Sequence, residues 1–195
     1  MRVLSNISEL QDGFTREWHS RQDLPADRDG LERLIIEQHL SNFRLWHEED
    51  QARAPNAAAE KIAQVKRNID RLNQQRNDLI EEIDRTLLES LKHIDSSSAE
   101  LHSETAGMMI DRLSILSLKL YHTREEAERR DASQEHRVRN LERLRILEEQ
   151  RGDLADNLRR LWDDLHAGRR RFKPYRQLKM YNDPSLNPEI YRQKG

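Results

Sequence analysis

The chain contains no cysteine, which excludes disulfides, thiolate metal sites and cysteine nucleophiles together. Glycine and proline are scarce, six and five residues of 195, so long stretches run without a helix breaker. Runs of Val, Ile, Thr and Tyr that favour strands are absent, and aromatic residues make up only 5%. No apolar run approaches the length of a bilayer span, and the first residues lack an apolar signal core. A cytoplasmic location is therefore expected. An excess of one charge is missing too: 34 Lys and Arg are interspersed with 36 Asp and Glu, for a net charge of −2. That balance argues against bulk nucleic-acid or anionic-membrane binding.

What is present is charge and helical periodicity. Charged residues reach 36% and apolar ones 35%, a composition that suits helices with one buried stripe and a wide solvated face. The predicted fold is all-α, an antiparallel bundle of four to five long helices in one domain over 1–168. An irregular basic tail rich in Pro and Tyr follows over 169–195. The first helix is predicted over about 3–20, where Val3, Ile7, Leu10, Phe14 and Trp18 recur at helical spacing. A loop over 21–30 precedes a second helix to about Arg53, which stops ahead of Pro55. The third covers roughly 57–93, with Ile62, Val65, Ile69, Leu72, Leu79, Ile83 and Leu87 forming a seam. The fourth covers about 99–123 and is apolar nearly all round, so it is expected at the centre. After a charged stretch the fifth runs from about 134 to 167, its seam including Val138, Leu141, Leu144 and Leu154, and Gly168 terminates it.

Three helices carry polar rows beside or inside an apolar face. On the second, Ile36, His39, Leu40, Phe43, Trp46, His47 and Asp50 share one side, with Arg53 at its edge. A core-facing surface that turns into a histidine and a carboxylate suits a pocket at a bundle end; equally, the helix simply emerges into solvent there. On the third, Lys66, Asp70, Asn73, Asn77 and Asp84 each follow a seam position by one and Glu81 follows Leu79 by two, forming a second stripe about 100° round. Arg76 occupies the seam itself, where a buried guanidinium needs a carboxylate partner or a ligand anion. The plain alternative for the stripe is a solvated flank with intrahelical pairs such as Lys66 with Asp70. On the fourth, Glu104, Asp111 and His122 fall within about 20° of one another, and Arg112 and Ser114 are also hard to place in solvent. They are too far apart along the axis to form one site alone, so Glu104 or Asp111 would meet Arg76 or His47 from other helices. The plain alternative here is an Asp111–arginine pair that fixes helix register.

Several catalytic signatures are missing. There is no Glu-x-x-His pair, no His-Glu-x-x-His, no P-loop and no Gly-x-Ser-x-Gly. Glu81-x-x-Asp84 and Glu125-x-x-Glu128 resemble the carboxylate pairs of all-α nucleotide pyrophosphohydrolases, a pattern common by chance in so acidic a chain. No metal ligand or cofactor is assigned; a divalent ion held by such carboxylate and asparagine oxygens would be magnesium or manganese rather than zinc. The basic segment Arg169-Arg-Arg-Phe-Lys-Pro-Tyr-Arg176 alternates charge with aromatics and reads as a solvated terminus more readily than as a polyanion contact.

Three stretches carry a family resemblance: Trp46-His-Glu-Glu-Asp-Gln-Ala-Arg53, Lys66 through Asn77, and Glu104 through Ser114 with Lys119-Leu-Tyr-His122. They resemble the bacterial family catalogued as domain of unknown function 4254. The resemblance implies an all-helical bacterial protein with a loose association to surface-polysaccharide metabolism, and it supplies no activity. The expected function is therefore a polar pocket between the second, third and fourth helices that binds a phosphorylated sugar or nucleotide. Arg53, Lys66 and Arg76 would hold anionic oxygens, Asn73 and Asn77 would read hydroxyls, and Asp70, Glu104, Asp111, Arg112 and His122 are the remaining candidate ligand-binding residues. His47 and Asp50 are the candidate acid/base pair. The competing expectations are a structural or adaptor protein that forms a homo-oligomer or docks on a partner, and a metal-dependent pyrophosphohydrolase.

Overall fold

The computed structural model describes residues 2–21, 30–176, 185–188 and 192. Helices α1 (Arg2–Ser5) and α2 (Ile7–Trp18) replace the single first helix expected from the periodicity. The break falls at Asn6, whose backbone (φ −116°, ψ 20°) leaves the helical region while Leu4 and Ile7 on either side both bury in the core. Most of the expected loop over 21–30 lies outside the described residues. Helices α3 (Gly30–Ala52) and α4 (Ala59–Ser90) form one antiparallel hairpin, closed at its turn by Leu45, Val65, Ile69 and Leu72.

Two short strands then interrupt the helices. β1 (Glu100–Leu101) pairs in parallel with β2 (Arg170–Arg171), near the C-terminus. Because the backbone N–H groups of Glu100 and His102 donate to Arg169 and Arg171, that segment is committed to an extended form. Helix α5 (Ala106–Glu128) consequently starts seven residues later than the apolar run suggests, capped by Thr105, whose hydroxyl accepts from the Met108 N–H at 3.2 Å. It also continues through the charged stretch, because Ala127 packs with Leu120 of α5 and Leu144 of α6 (Gln134–His166). Ser133 caps α6 by accepting from His136 N–H. Gly168 ends the run with φ +67°, and a Cβ there would stand 2.8 Å from the Asp95 carbonyl oxygen.

The fold is an all-α bundle. α5 and α6 form the second hairpin, and α5 touches α2, α3, α4 and α6, which makes it the central helix. The main core joins all six described helices through residues such as Ile7, Ile35, Ile83, Ile110 and Leu158, and Phe172 just beyond β2 seals it. A smaller aromatic core of Trp18, Phe43, Leu40 and Leu118 sits toward the C-terminal end of α5. Ile62, Val138 and Leu141, expected on buried seams, are instead 43%, 47% and 56% exposed. Among the described residues no helix is long and apolar enough to cross a membrane.

Candidate functional site

A cleft of about 470 Å³ opens between α3, α4 and α5. Its floor is apolar, formed by Leu45, Trp46, Ile115 and Leu118, and its rim carries Glu49, Asp50, Arg53, Asn73 and Arg76. The wall exists because α3 changes character at Trp46: Leu40, Phe43 and Leu45 anchor its middle, and the next turn emerges at the bundle edge with its carboxylates half-buried or exposed. Arg53, just past the helix end, donates to the Glu49 carbonyl oxygen at 2.7 Å and pairs with the Glu49 carboxylate at 3.0 Å. Two arginines thus face two carboxylates around the opening.

Behind the rim the polar groups continue into the bundle. Arg76 Nε lies 3.1 Å from Asp111 Oδ1, a close ion pair that lacks hydrogen-bond geometry at that nitrogen. Asp111 Oδ1 also accepts from Gln38 Nε2 at 2.6 Å and from Asn42 Nδ2 at 2.9 Å. Burial raises the Asp111 carboxyl above its ordinary pKa, against the opposing pull of Arg76, Asn42 and Gln38. Asn42 donates onward to the Ser114 hydroxyl, which lies 2.7 Å from His39 Nδ1. His39 Nε2 lies 2.9 Å from the Gln11 carbonyl oxygen. A carbonyl only accepts, so the proton sits on Nε2 and Ser114 donates to Nδ1. His39 is a neutral structural imidazole, its pKa lowered to about 4 chiefly by burial. The chain continues through Thr15 and Ser117 to Asp12, where Arg151 of α6 closes it with two bonds of 2.8 and 2.6 Å.

Beside the cleft, three helices bring one imidazole each to a common point. His19 follows the last residue of α2, His47 lies on α3 and His122 on α5; one nitrogen from each lies within 4.8 Å of the other two. Aromatic rings hold them there. Tyr121 stacks on His19 at 4.1 Å, Trp46 stacks on His122 at 4.8 Å, and Phe43 meets His19 and His47 edge-on. The pKa of His47 is lowered, first by burial and then by the positive charge His19 and His122 carry when protonated; Asp50 and Glu125 pull it the other way. Among the described residues this is the group with the donors and spacing to hold a metal ion.

The sequence-predicted residues divide accordingly. Asp50, Arg53, Asn73 and Arg76 line the cleft, with Asp111 directly behind Arg76. Lys66 and Asp70 pair with each other at the helix surface and are not part of its wall, and Asn77 is buried one turn beyond it. His47 makes no hydrogen bond with Asp50 among the described residues; its ring meets His19 and His122, and Asp50 acts on it through charge alone. Glu104 and Arg112 do not reach the cleft. Glu104 precedes the start of α5 and so loses its helical alignment with Asp111, and it binds Arg112 at 2.8 and 3.0 Å. Arg112 is exposed, contrary to expectation. That pair borders a larger groove of about 750 Å³ between α5 and α6. Its polar wall is long exposed side chains such as Lys119, Gln150 and Asn157, with no buried polar network behind them.

The carboxylate pairs do not converge either. Asp84 bonds Gly107 at the N-terminal end of α5, and Glu125 lies eighteen residues further along that helix, about 27 Å away. Sequence reasoning missed His19 altogether: a lone histidine at a helix end has no periodic signal, and only the packing of α2 against α5 brings it beside His122. Gln38 and Asn42 were missed as well, although their spacing of four on α3 places both on the side facing Asp111.

Compared with known sequences, residues 32–174 match the profile of a family described as "Protein of unknown function (DUF4254)". The matched segment spans the cleft, His47 and His122, but not His19. No curated protein and no solved structure matches the chain.

Proposed function

The chain belongs to that family of unknown function, DUF4254, and since membership carries no activity we propose from its geometry that the cleft between α3, α4 and α5 binds a phosphorylated sugar or nucleotide. The observation that supports this most is the division of the cleft into an apolar floor bearing Trp46 and a rim of two arginines, two carboxylates and Asn73. A volume of about 470 Å³ suits a ligand of that size. Arg53 stands at the opening, and Arg76 turns its Nε toward Asp111 while Nη1 lies 3.5 Å from Asn73 Oδ1. Together they give one phosphate-sized anchor. Glu49 and Asp50 offset that charge, which disfavours a polyanion and suits a single anionic group on a body rich in hydroxyls. The loose link to surface polysaccharide that the resemblance implies makes sugar phosphates the first class to test.

Thermal-shift and calorimetric titration of the full chain with sugar phosphates, nucleotide sugars and nucleotides provides that test. One class should raise the melting temperature with saturation, and Asn73→Ala and Arg53→Ala should each weaken it roughly tenfold, as expected for the loss of a hydrogen bond or exposed charge contact of about 1.4 kcal/mol. No saturable shift with any class, or a shift that both variants leave intact, rules the reading out. A second reading, self-association through α6, rests on a different observation: Val138, Leu141 and Ile146 on its first half are 47%, 56% and 51% exposed. Light scattering of the full chain decides it.

A further inference from the structure

We infer that His19, His47 and His122 form a binding site for one divalent transition-metal ion of the zinc type. His19 Nδ1 lies 2.7 Å from the Thr15 carbonyl oxygen, which can only accept, so Nδ1 carries the proton and Nε2 presents a lone pair. His122 Nδ1 lies 2.8 Å from Glu125 Oε2, and a carboxylate fixes the tautomer in the same way. Both Nε2 atoms are buried and neither has a hydrogen-bond partner. A buried acceptor left unpaired is costly, and here two belong to residues of one cluster. His47 completes the triangle, and no hydrogen bond to a described residue ties up either of its nitrogens.

This is the arrangement a metal site requires. A ligating imidazole usually donates its other N–H to a carbonyl or carboxylate that fixes the ring, as Thr15 and Glu125 do for His19 and His122. The ligands must present an unprotonated nitrogen, which the bonds from Nδ1 to Thr15 and Glu125 arrange for His19 and His122. Zinc–nitrogen bonds of about 2.0–2.1 Å place tetrahedral ligand atoms about 3.3 Å apart. The present separations of up to 4.8 Å therefore need a closure of about 1.5 Å, within the reach of small χ1 and χ2 adjustments. Nitrogen donors without thiolate select zinc and its neighbours over magnesium, the opposite of the preference read from the carboxylate pairs. Three protein ligands also leave a fourth position open, the pattern of sites that present a water or ligand to the ion. The cluster itself lies next to the cleft, because Trp46 stacks on His122 and also forms part of the cleft floor.

The site rests on its own geometry and not on the ligand proposed for the cleft, so the two can fail separately. The competing occupant is a single water donating to both Nε2 atoms. The test is titration of the chelator-treated full chain with zinc alone by calorimetry, and with cobalt(II) alone by visible absorption, no sugar phosphate being present. One ion per chain should bind, with the intense d–d bands of four-coordinate cobalt. His19→Gln, His47→Gln and His122→Gln should each weaken binding roughly 100-fold, whereas His93→Gln, at an exposed histidine, should leave it unchanged. Should a variant fail to fold, the wild-type imidazole nitrogens still report: zinc should shift the Nε2 resonances of His19 and His122. Absence of saturable binding at micromolar metal, binding unaffected by the three substitutions, or unshifted Nε2 resonances overturns the proposal.

Discussion

At Asp84, burial is stronger than the two bonds that favour its ionised form. Its carboxyl is pushed up to about 6, first by burial and to a smaller degree by Glu81, although Thr105 and the Gly107 N–H donate to it. Between about pH 4 and 6 the folded chain therefore holds a proton that the unfolded chain has released, so this group's contribution to stability falls as pH rises. His39 does the reverse. With a folded pKa of about 4 it stays neutral where the unfolded imidazole is charged, and its contribution grows as pH rises from about 4 to 6.5. The two slopes nearly cancel in the wild type. Asp84→Asn keeps an acceptor for Gly107 but removes one slope. Its stability relative to wild type should then rise by up to about 3 kcal/mol between pH 4 and 6.5, measured by urea unfolding. A difference that is constant with pH would show that Asp84 ionises normally in the fold.

Helix α5 concentrates the architecture because it is covered on four sides. Its close approach to α4 depends on one small residue: a Cβ on Gly107 would stand 2.8 Å from both Asp84 Oδ1 and the Ile80 carbonyl oxygen. Gly107→Ala should gain up to about 1 kcal/mol of helix propensity and lose more to crowding against a backbone atom that cannot step aside. A net loss of about 1–2 kcal/mol at unchanged m-value is the expected result of denaturant unfolding. A variant as stable as wild type would mean that α4 and α5 separate freely. The apolar circumference of this helix makes its central place legible in the sequence. Its starting point is not, since the strand pairing of Glu100–Leu101 with a segment seventy residues away takes the preceding backbone out of the helix.

Across the whole molecule, a single series of polar contacts runs from Arg76 on α4 through Asp111, Asn42, Ser114, His39, Thr15, Ser117 and Asp12 to Arg151 on α6. Such a series penalises any slip in helix register, because each misplaced member leaves a buried group unpaired. The outer face of α6 is different in kind. If self-association is its use, light scattering should give twice the monomer mass at tens of micromolar, and Leu141→Glu, which adds a charge at a 56% exposed position, should return the monomer without loss of fold. A wild type that is monomeric throughout removes that reading.

The spacing of apolar residues determined by itself that the chain is helical and that the fourth predicted helix is central, because these follow from local periodicity and side-chain volume; it did not determine how far each seam is covered, since Ile62, Val138 and Leu141 are exposed. It also identified Arg76 as a cation on an apolar seam in need of a partner and Asp111 as a carboxylate on an apolar helix. Only tertiary packing decided that these two meet, that Glu104 turns away to Arg112, and that Lys66 stays at the surface. The three-histidine cluster belongs wholly to that second kind. Its members lie 28 and 75 residues apart on three different helices, and no property of a single helix indicates which imidazoles will share a space.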